Sequence, residues 1–217
     1  MSIQFVEQLE QLKRRCIDMA ALVQGAVEQA SEAILARRPE LASAVLDNEA
    51  RIDAEEVKIE RAAIDLLARH QPAAEDVHTV FAIVKINSDL ERIGDCAYNI
   101  AQLAASFRAS AGEMPQGLLR TMVGATLQQL HDTTRCVGLS DPNLAAQVCR
   151  GDDVIDALYH QIYQDMQAGM VADTHRIPED LALIMVAKNL ERIADHCTNV
   201  AEEVVFLVGG RIIRHEH

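Results

Sequence analysis

Two short stretches decide the fold: LERIGDCAYNIA at residues 90–101 and LERIADHCTNVA at residues 190–201. They are identical at seven of twelve positions and begin one hundred residues apart. In each stretch, apolar residues recur every three or four positions, which predicts an amphipathic helix. Each stretch also places a glutamate four residues before an aspartate, so both carboxylates lie on one face of that helix. The chain therefore repeats a structural pattern and a chemical pattern together.

The repeat extends well beyond these two stretches. Pro39 and Pro142 stand 103 residues apart, and Ile-Asp at 52–53 recurs with the same offset at 155–156. The offset falls to 100 in the two opening stretches, so the second copy lacks three residues, and the loop before its last helix is the simplest place for the loss. Duplication of a three-helix unit explains both offsets.

Helical periodicity runs through nearly the whole chain, and no stretch alternates as a half-buried strand does. Five prolines each stand where a helix could begin. The pattern predicts six helices, at about 3–36, 39–69, 73–107, 116–138, 142–170 and 178–208. We expect an all-α fold of two tandem three-helix bundles, with domains at 1–110 and 111–217.

Composition excludes several classes of protein. Hydrophobic residues make up 49% of the 217, so the chain is not disordered. The formal net charge of −13 should repel nucleic acid and anionic lipid. No apolar run approaches the ~20 residues that span a bilayer, so we expect no direct membrane insertion. With no signal peptide and five scattered cysteines, the composition predicts a cytoplasmic protein with reduced thiols.

Four acid pairs with a spacing of four residues are the chemical signal of the chain. They are Glu49 with Asp53, Glu91 with Asp95, Asp152 with Asp156, and Glu191 with Asp195. Folding the second and third helices about residue 71 places Asp53 opposite about residue 90 and Glu49 opposite about residue 94. The second hairpin, turning near residue 174, brings its two pairs to the same level.

Four carboxylates at one level repel one another unless a cation lies among them. Oxygen ligands suit Mg²⁺, Ca²⁺, Mn²⁺ or Fe, and Zn²⁺ also fits. All eight acidic residues of the four pairs are therefore candidate metal ligands. They flank a predicted core stripe that includes Leu90 and Ile93, which places each cluster in an open groove between two helices. Gly94 and Ala194 would let the neighbouring helix approach closely.

An isolated pair of acidic residues usually lies on a solvent-exposed helix face and forms salt bridges with arginine or lysine. This interpretation applies to each of the four pairs taken alone. Arg92 and Arg192 follow the glutamates and would form such salt bridges, or contact an anion or a partner. Cys96 reads as a small packing residue. Three further residues are weaker candidates for additional ligands: His196, His131 and Glu28.

Catalytic motifs are missing. The chain has no glycine-rich phosphate loop, no nucleophile elbow, no Glu-x-x-His pair of the di-iron bundles, and no clear general acid paired with a base. We therefore expect a regulator and not an enzyme. The alternative is a metal-dependent hydrolase or oxidase that uses a carboxylate-bridged metal cluster.

The two opening stretches, the second extended to LERIADHCTNVAEEV at 190–204, closely resemble the paired signatures of the PhoU family of phosphate-signalling regulators. QPAAEDVH at 71–78 is similar to that family's entry into its third helix, and VVFLVGGRIIRH at 204–215 is similar to its C-terminus. The resemblance covers essentially the whole chain. It implies tandem three-helix bundles with E(D)xxxD metal-binding motifs, and these fall on the eight acidic residues already selected.

The resemblance also implies partners. Members of this family are cytosolic negative regulators that link a phosphate ABC transporter to a sensor histidine kinase and restrain the phosphate-starvation response. A large apolar helical surface favours a homodimer. Two positions depart from the family pattern, His78 where arginine is frequent and Cys96 where histidine is frequent. They leave open the identity of the metal and one partner contact.

Overall fold

The computed structural model describes residues 3–70, 72–106 and 116–209. Within these ranges it contains six long α-helices, one 3₁₀ turn and no β-strand. The helices are α1 Ile3–Ala36, α2 Pro39–His70, α3 Ala74–Ser106, α4 Gln116–Leu139, α5 Pro142–Ala172 and α6 Ile177–Gly209, with the turn at Thr174–Arg176. The predicted all-α fold is confirmed, and every predicted helix end lies within two residues of the observed one. The predicted domain boundary after residue 110 lies outside the described residues.

The first helix of each bundle ends with the same backbone conformation, as expected for a duplicated unit. Arg37 and Ser140 follow α1 and α4, and both adopt the left-handed conformation, with φ of 51° and 50°. Their separation of 103 residues is the offset found between the second helices of the two sets. Asp141 caps α5, because its side chain accepts hydrogen bonds from the backbone N–H groups of Asn143 and Leu144. Pro142 then occupies the first turn, as the sequence predicts.

Each bundle buries one stripe of its last helix. In α3 the stripe contains Leu90, Ile93, Ala97 and Ile100, all with at most 1% of their surface exposed. α1, α2 and α3 pack together as one bundle, and α4, α5 and α6 as the other. The bundles join where α3 packs along α6 and α1 contacts α4. None of the described helices combines the length and the apolar character needed to cross a bilayer.

Polar pairs across the α3–α6 contact reveal the internal symmetry. The Asn99 side-chain amide donates to Asn189 Oδ1 at 3.3 Å, and the Asn199 amide donates to Asp89 Oδ1 at 3.3 Å. These pairs exchange under the offset of 100 residues, so α3 and α6 are antiparallel and related by an approximate twofold axis. Such an axis stands perpendicular to the plane of the two helices. The groove between α2 and α3 is therefore equivalent to the groove between α5 and α6.

The helices of the first hairpin approach closely at Gly94. A Cβ atom at this position would lie 3.0 Å from Ile52 Cγ2, which is tighter than ordinary van der Waals contact. Glycine therefore permits the close crossing of α2 and α3 that the sequence predicts. The same crossing brings the acidic residues on the two helices within range of each other.

Candidate metal centre: two acidic clusters

The first acidic cluster lies in the groove between α2 and α3 and contains Glu49, Asp53, Glu91 and Asp95. Burial, followed by repulsion from Asp53 and Asp95, raises the pKa of Glu49. Burial, followed by repulsion from Asp95 and then weaker effects that include Asp53, raises the pKa of Glu91. The side chains therefore interact across the two helices at the levels expected from the hairpin turn.

Sequence reasoning missed a fifth carboxylate of this cluster. Burial raises the pKa of Glu56, and repulsion from Glu60, Asp53 and Asp95 adds to the effect. Glu56 stands three residues after Asp53, a spacing that keeps both side chains on one face of α2. That spacing is a local signal, but the residue falls outside the repeated acid-x-x-x-Asp pattern.

The second acidic cluster lies between α5 and α6 and contains Asp152, Asp156, Glu191 and Asp195. Burial, together with repulsion from Asp195 and Asp156, raises the pKa of Asp152 to about 6, while the Gln129 side chain opposes the shift. Burial and repulsion from Glu191 and Asp156 raise the pKa of Asp195. The Asp152 Oδ1 atom is buried without a hydrogen-bond partner. All four predicted residues are thus neighbours.

The two clusters differ in charge. In the second, Lys188 forms an ion pair with Glu191 and places its Nζ atom 5.3 Å from the centre of the Tyr159 ring. The equivalent positions in the first cluster are Ser88 and Glu56. The first cluster therefore has Glu56 in addition and lacks the lysine, while the second has Asp153 in addition, which also raises the pKa of Asp152 and whose equivalent in the first bundle is Ala50.

Ion pairs neutralise only two of the eight predicted carboxylates. Arg92 Nε lies 3.7 Å from Glu91 Oε2, and Lys188 Nζ lies 2.6 Å from Glu191 Oε1. Among the described residues, no lysine, arginine or histidine lies within ion-pair distance of the other six: Glu49, Asp53, Asp95, Asp152, Asp156 and Asp195. Salt bridges thus account for two glutamates and leave Glu49 and the five aspartates without an ion pair, although Lys188 and His196 lie near enough to Asp195 to oppose the rise in its pKa.

The present side-chain conformations do not form a coordination sphere. Across residues 3–70, 72–106 and 116–209, no three His, Cys, Asp or Glu side chains converge in a way that could hold a metal ion. The donor set nevertheless fits a hard cation, because it consists of carboxylate oxygens, one of them buried and unpartnered. The eight-residue metal site therefore stays a prediction.

Residues outside the two acidic clusters have different roles. His196 turns toward the contact between the bundles, where its Nδ1 atom lies 2.9 Å from Asp89 Oδ1. Glu28 accepts a hydrogen bond from Gln24 on α1. Cys96 is fully buried in the packing of α3, as expected. Glu203, which is 3% exposed, pairs with Lys85 of the other bundle at 3.2 Å.

Comparison with known proteins supports the duplicated architecture. The PhoU domain family model matches residues 16–104 and again residues 119–204. The starts of the two matches differ by 103 residues and the ends by 100, which are the two offsets of the internal repeat.

The chain is also similar to curated proteins and solved structures. It is 37% identical over 97% of its length to a phosphate-specific transport system accessory protein PhoU homolog of Aquifex aeolicus, and covers 96% of that protein. It is 31% identical over 98% of its length to the accessory protein PhoU of Serratia marcescens, and covers 87% of it. The crystal structure of PhoU from Pseudomonas aeruginosa superposes with a TM-score of 0.92 at 29% identity, over 95% of this chain and 100% of that one.

Fold and acidic clusters together define a class of all-helical protein built from two copies of a three-helix unit, each with carboxylates gathered between its second and third helices. The chain belongs to the PhoU family, because the family model matches both copies and the relatives match nearly its whole length.

Proposed function

We propose that this protein is a non-catalytic accessory regulator of phosphate transport that acts in the cytosol. The family model and the names of the curated relatives support the proposal, because those relatives are accessory proteins of phosphate-specific transport systems. The observation that carries it is the pair of acidic clusters, one in each bundle. A rigid helical body with two charged patches is suited to docking on other proteins.

Each acidic cluster is proposed to bind a divalent or trivalent metal ion, with Fe, Zn, Mn, Mg and Ca as candidates. Carboxylates on two different helices would be drawn together by the ion, which would fix the angle of the hairpin. The six carboxylates that form no ion pair supply the reason, because a cation removes their mutual repulsion. The ion would thereby stabilise the docking face.

Thermal unfolding in the presence of Mn²⁺ tests the metal proposal. We expect Mn²⁺ to raise the melting temperature of the wild type, and to raise it less in the Asp53→Asn/Asp95→Asn variant. Asp65→Asn is the matched control, because Asp65 is exposed on α2 and pairs with Arg69 outside the cluster. An equal rise in all three proteins would contradict a site in the first bundle.

As an adaptor, the protein is proposed to link a phosphate ABC transporter to a sensor histidine kinase and to hold the starvation response down. Pull-down with the cytosolic domains of both proteins, with and without Mn²⁺, tests this role. We expect wild type and Asp65→Asn to retain both partners, and Asp53→Asn/Asp95→Asn to retain less. Failure of the wild type to retain either partner would contradict the adaptor role.

The alternative function, a metal-dependent enzyme, is tested by an assay of phosphoester hydrolysis. Hydrolysis by the wild type that is lost in Asp195→Asn would favour the enzyme.

A homodimer is also proposed. The outer face of α2 exposes Val57 and Ile64, which stand seven residues apart on the same side of the helix and are 39% and 66% exposed. Light scattering of the purified protein tests the proposal. A dimer in the wild type that becomes a monomer in Ile64→Asp is expected, and a monomeric wild type would contradict it.

A further inference from the structure

A cavity of about 370 Å³ lies at one end of the contact between the two bundles. Its wall combines the first part of α1 and α3 with the last turns of α4 and α6. No residue of either acidic cluster lines it. The size falls in the range of small-molecule sites, which begins at about 300 Å³. About half of the inner surface is apolar, from Ile17, Ile83, Ile86, Val204 and Leu207.

The internal symmetry explains why space is left here. At the opposite end of the same contact, Arg37 Nη2 lies 2.8 Å from Glu179 Oε1 and ties α1 to α6 across the bundles. The residue 103 positions after Arg37 is Ser140, and the residue 100 positions before Glu179 is Thr79. Ser140 and Thr79 are therefore the symmetry equivalents of this ion pair. Both line the cavity, and both are much shorter than the residues that they replace. Of the two equivalent ends, one thus has an ion pair, and the other has two short side chains that line this cavity.

Charge at the mouth of the cavity selects an anion. Lys13 and Arg14 both line it, although the chain as a whole has a net charge of −13. Lys13 is paired with Glu10 at 2.8 Å, so Glu10 offsets one of the two positive charges. Arg14 has no ion pair with any residue of the described ranges. Its guanidinium group is therefore available to a carboxylate at the entrance.

The wall also includes a thiol that remains neutral. Burial raises the pKa of Cys16 to about 12, so the group contributes polarizable, uncharged surface at neutral pH. Together with the five aliphatic side chains it forms an apolar floor beneath the cationic rim. Such a combination fits a ligand with one charged end and an apolar body.

We propose that this cavity is a binding site for a small amphipathic monoanion, a medium-chain carboxylate whose alkyl chain enters the cavity and whose carboxylate pairs with Arg14. At ~30 Å³ per water, the cavity holds about a dozen water-sized groups, which is close to the number of heavy atoms in such a molecule. The proposal is independent of the metal and adaptor roles, because it uses none of their residues.

Calorimetric titration with octanoate tests the site in the intact chain. We expect saturable 1:1 binding to the wild type and about tenfold weaker binding to Arg14→Gln, the factor that loss of one charge-assisted hydrogen bond produces. Arg15→Gln is the matched control, because this neighbouring arginine lines a different groove, between α1 and α2. Octan-1-ol and octylammonium should bind at least tenfold more weakly than octanoate.

A second variant closes the cavity by design. Thr79→Glu combined with Ser140→Arg copies the ion pair found at the other end, and arginine already occupies the equivalent left-handed position at Arg37. We expect this variant to fold, as judged by circular dichroism, and to lose octanoate binding. It therefore separates loss of the cavity from loss of the fold.

Several results would overturn the proposal. They are absence of saturable octanoate binding to the wild type, equal weakening by Arg14→Gln and Arg15→Gln, equal affinity for octan-1-ol, and unchanged binding in the double variant. If the wild type does not bind octanoate but self-associates, and the double variant is monomeric, the occupant is a second copy of the chain and the proposal is wrong.

Discussion

Asp152 shows at the scale of one residue how the acidic clusters affect stability. The ordinary pKa of an aspartate carboxyl group is 3.8, and burial with repulsion from Asp195 and Asp156 raises the pKa of Asp152 in the folded protein to about 6. Folding therefore takes up a proton between these two pH values. The contribution favours the folded state below about pH 4 and is lost as the pH rises through about 6. At neutral pH, the metal-free protein keeps a charge where the fold disfavours it.

Asp152→Asn should accordingly stabilise the metal-free protein at pH 7. We expect a gain of about 1 kcal/mol in the free energy of unfolding, well below the full value of the shift because the side chain is half exposed and screened. At pH 4 the gain should nearly vanish. Urea unfolding at the two pH values measures both, with Asp165→Asn on the exposed face of α5 as control. Equal gains in the two variants at pH 7 would refute the interpretation.

Lys188 provides a second prediction at this scale. Its ammonium group occupies the second acidic cluster, and the first cluster has Ser88 at the equivalent position. Lys188→Ser should therefore strengthen Mn²⁺ binding to the second cluster by about fivefold, because a nearby positive charge is removed. Titration calorimetry measures the affinity. Lys13→Ser, which removes a lysine remote from both clusters, should leave it unchanged, and an equal effect of both variants would count against the assignment.

Helix crossing is the relevant feature at the scale of the element. α2 and α3 converge because Gly94 leaves only 3.0 Å between a notional Cβ atom and Ile52 Cγ2. The second bundle has Ala194 and Ile155 at the equivalent positions, both buried. A larger side chain at Gly94 would separate the two helices and the carboxylates that they carry.

Gly94→Val should destabilise the protein by about 2 kcal/mol, the usual cost of overpacking a close contact. Adding Ile52→Ala should recover part of that loss, so the double variant would be less destabilised than the sum of the singles. Thermal or urea unfolding measures the three values. Gly124→Val is the control, because no atom lies within 4 Å of a Cβ at this exposed position of α4. A strictly additive double variant would show that Ile52 is not the obstacle.

At the scale of the whole molecule, much of the fold was predictable from local patterns. Proline positions and a period of 3.6 residues predicted both ends of all six helices to within two residues. The position of the hairpin turn predicted that Asp53 lies near Glu91 and that Glu49 lies near Asp95. Two antiparallel helices joined by a short turn can shift little along their axes, so the turn decides which residues face each other. The repeat offsets were sufficient to recognise the duplication.

Other features depend on contacts that sequence periodicity does not contain. Glu56 was not predicted because the equivalent residue of the second bundle is Tyr159, so the two copies do not share an acidic residue at this position. His196 and Asp89 are 107 residues apart in sequence, and the packing of α3 on α6 brings their side chains into contact. The cavity is lined by Ser140 and Thr79, whose equivalents in the other half form an ion pair, and this difference becomes visible once both halves are compared.

The central claim is that each bundle has its own cation site between its second and third helices. Elemental analysis measures this directly on protein loaded with Mn²⁺ and desalted, for wild type, Glu91→Gln/Asp95→Asn and Glu191→Gln/Asp195→Asn. We predict that each variant loses the metal of one bundle and retains that of the other. Equal metal content in all three proteins, or none in the wild type, would contradict the claim.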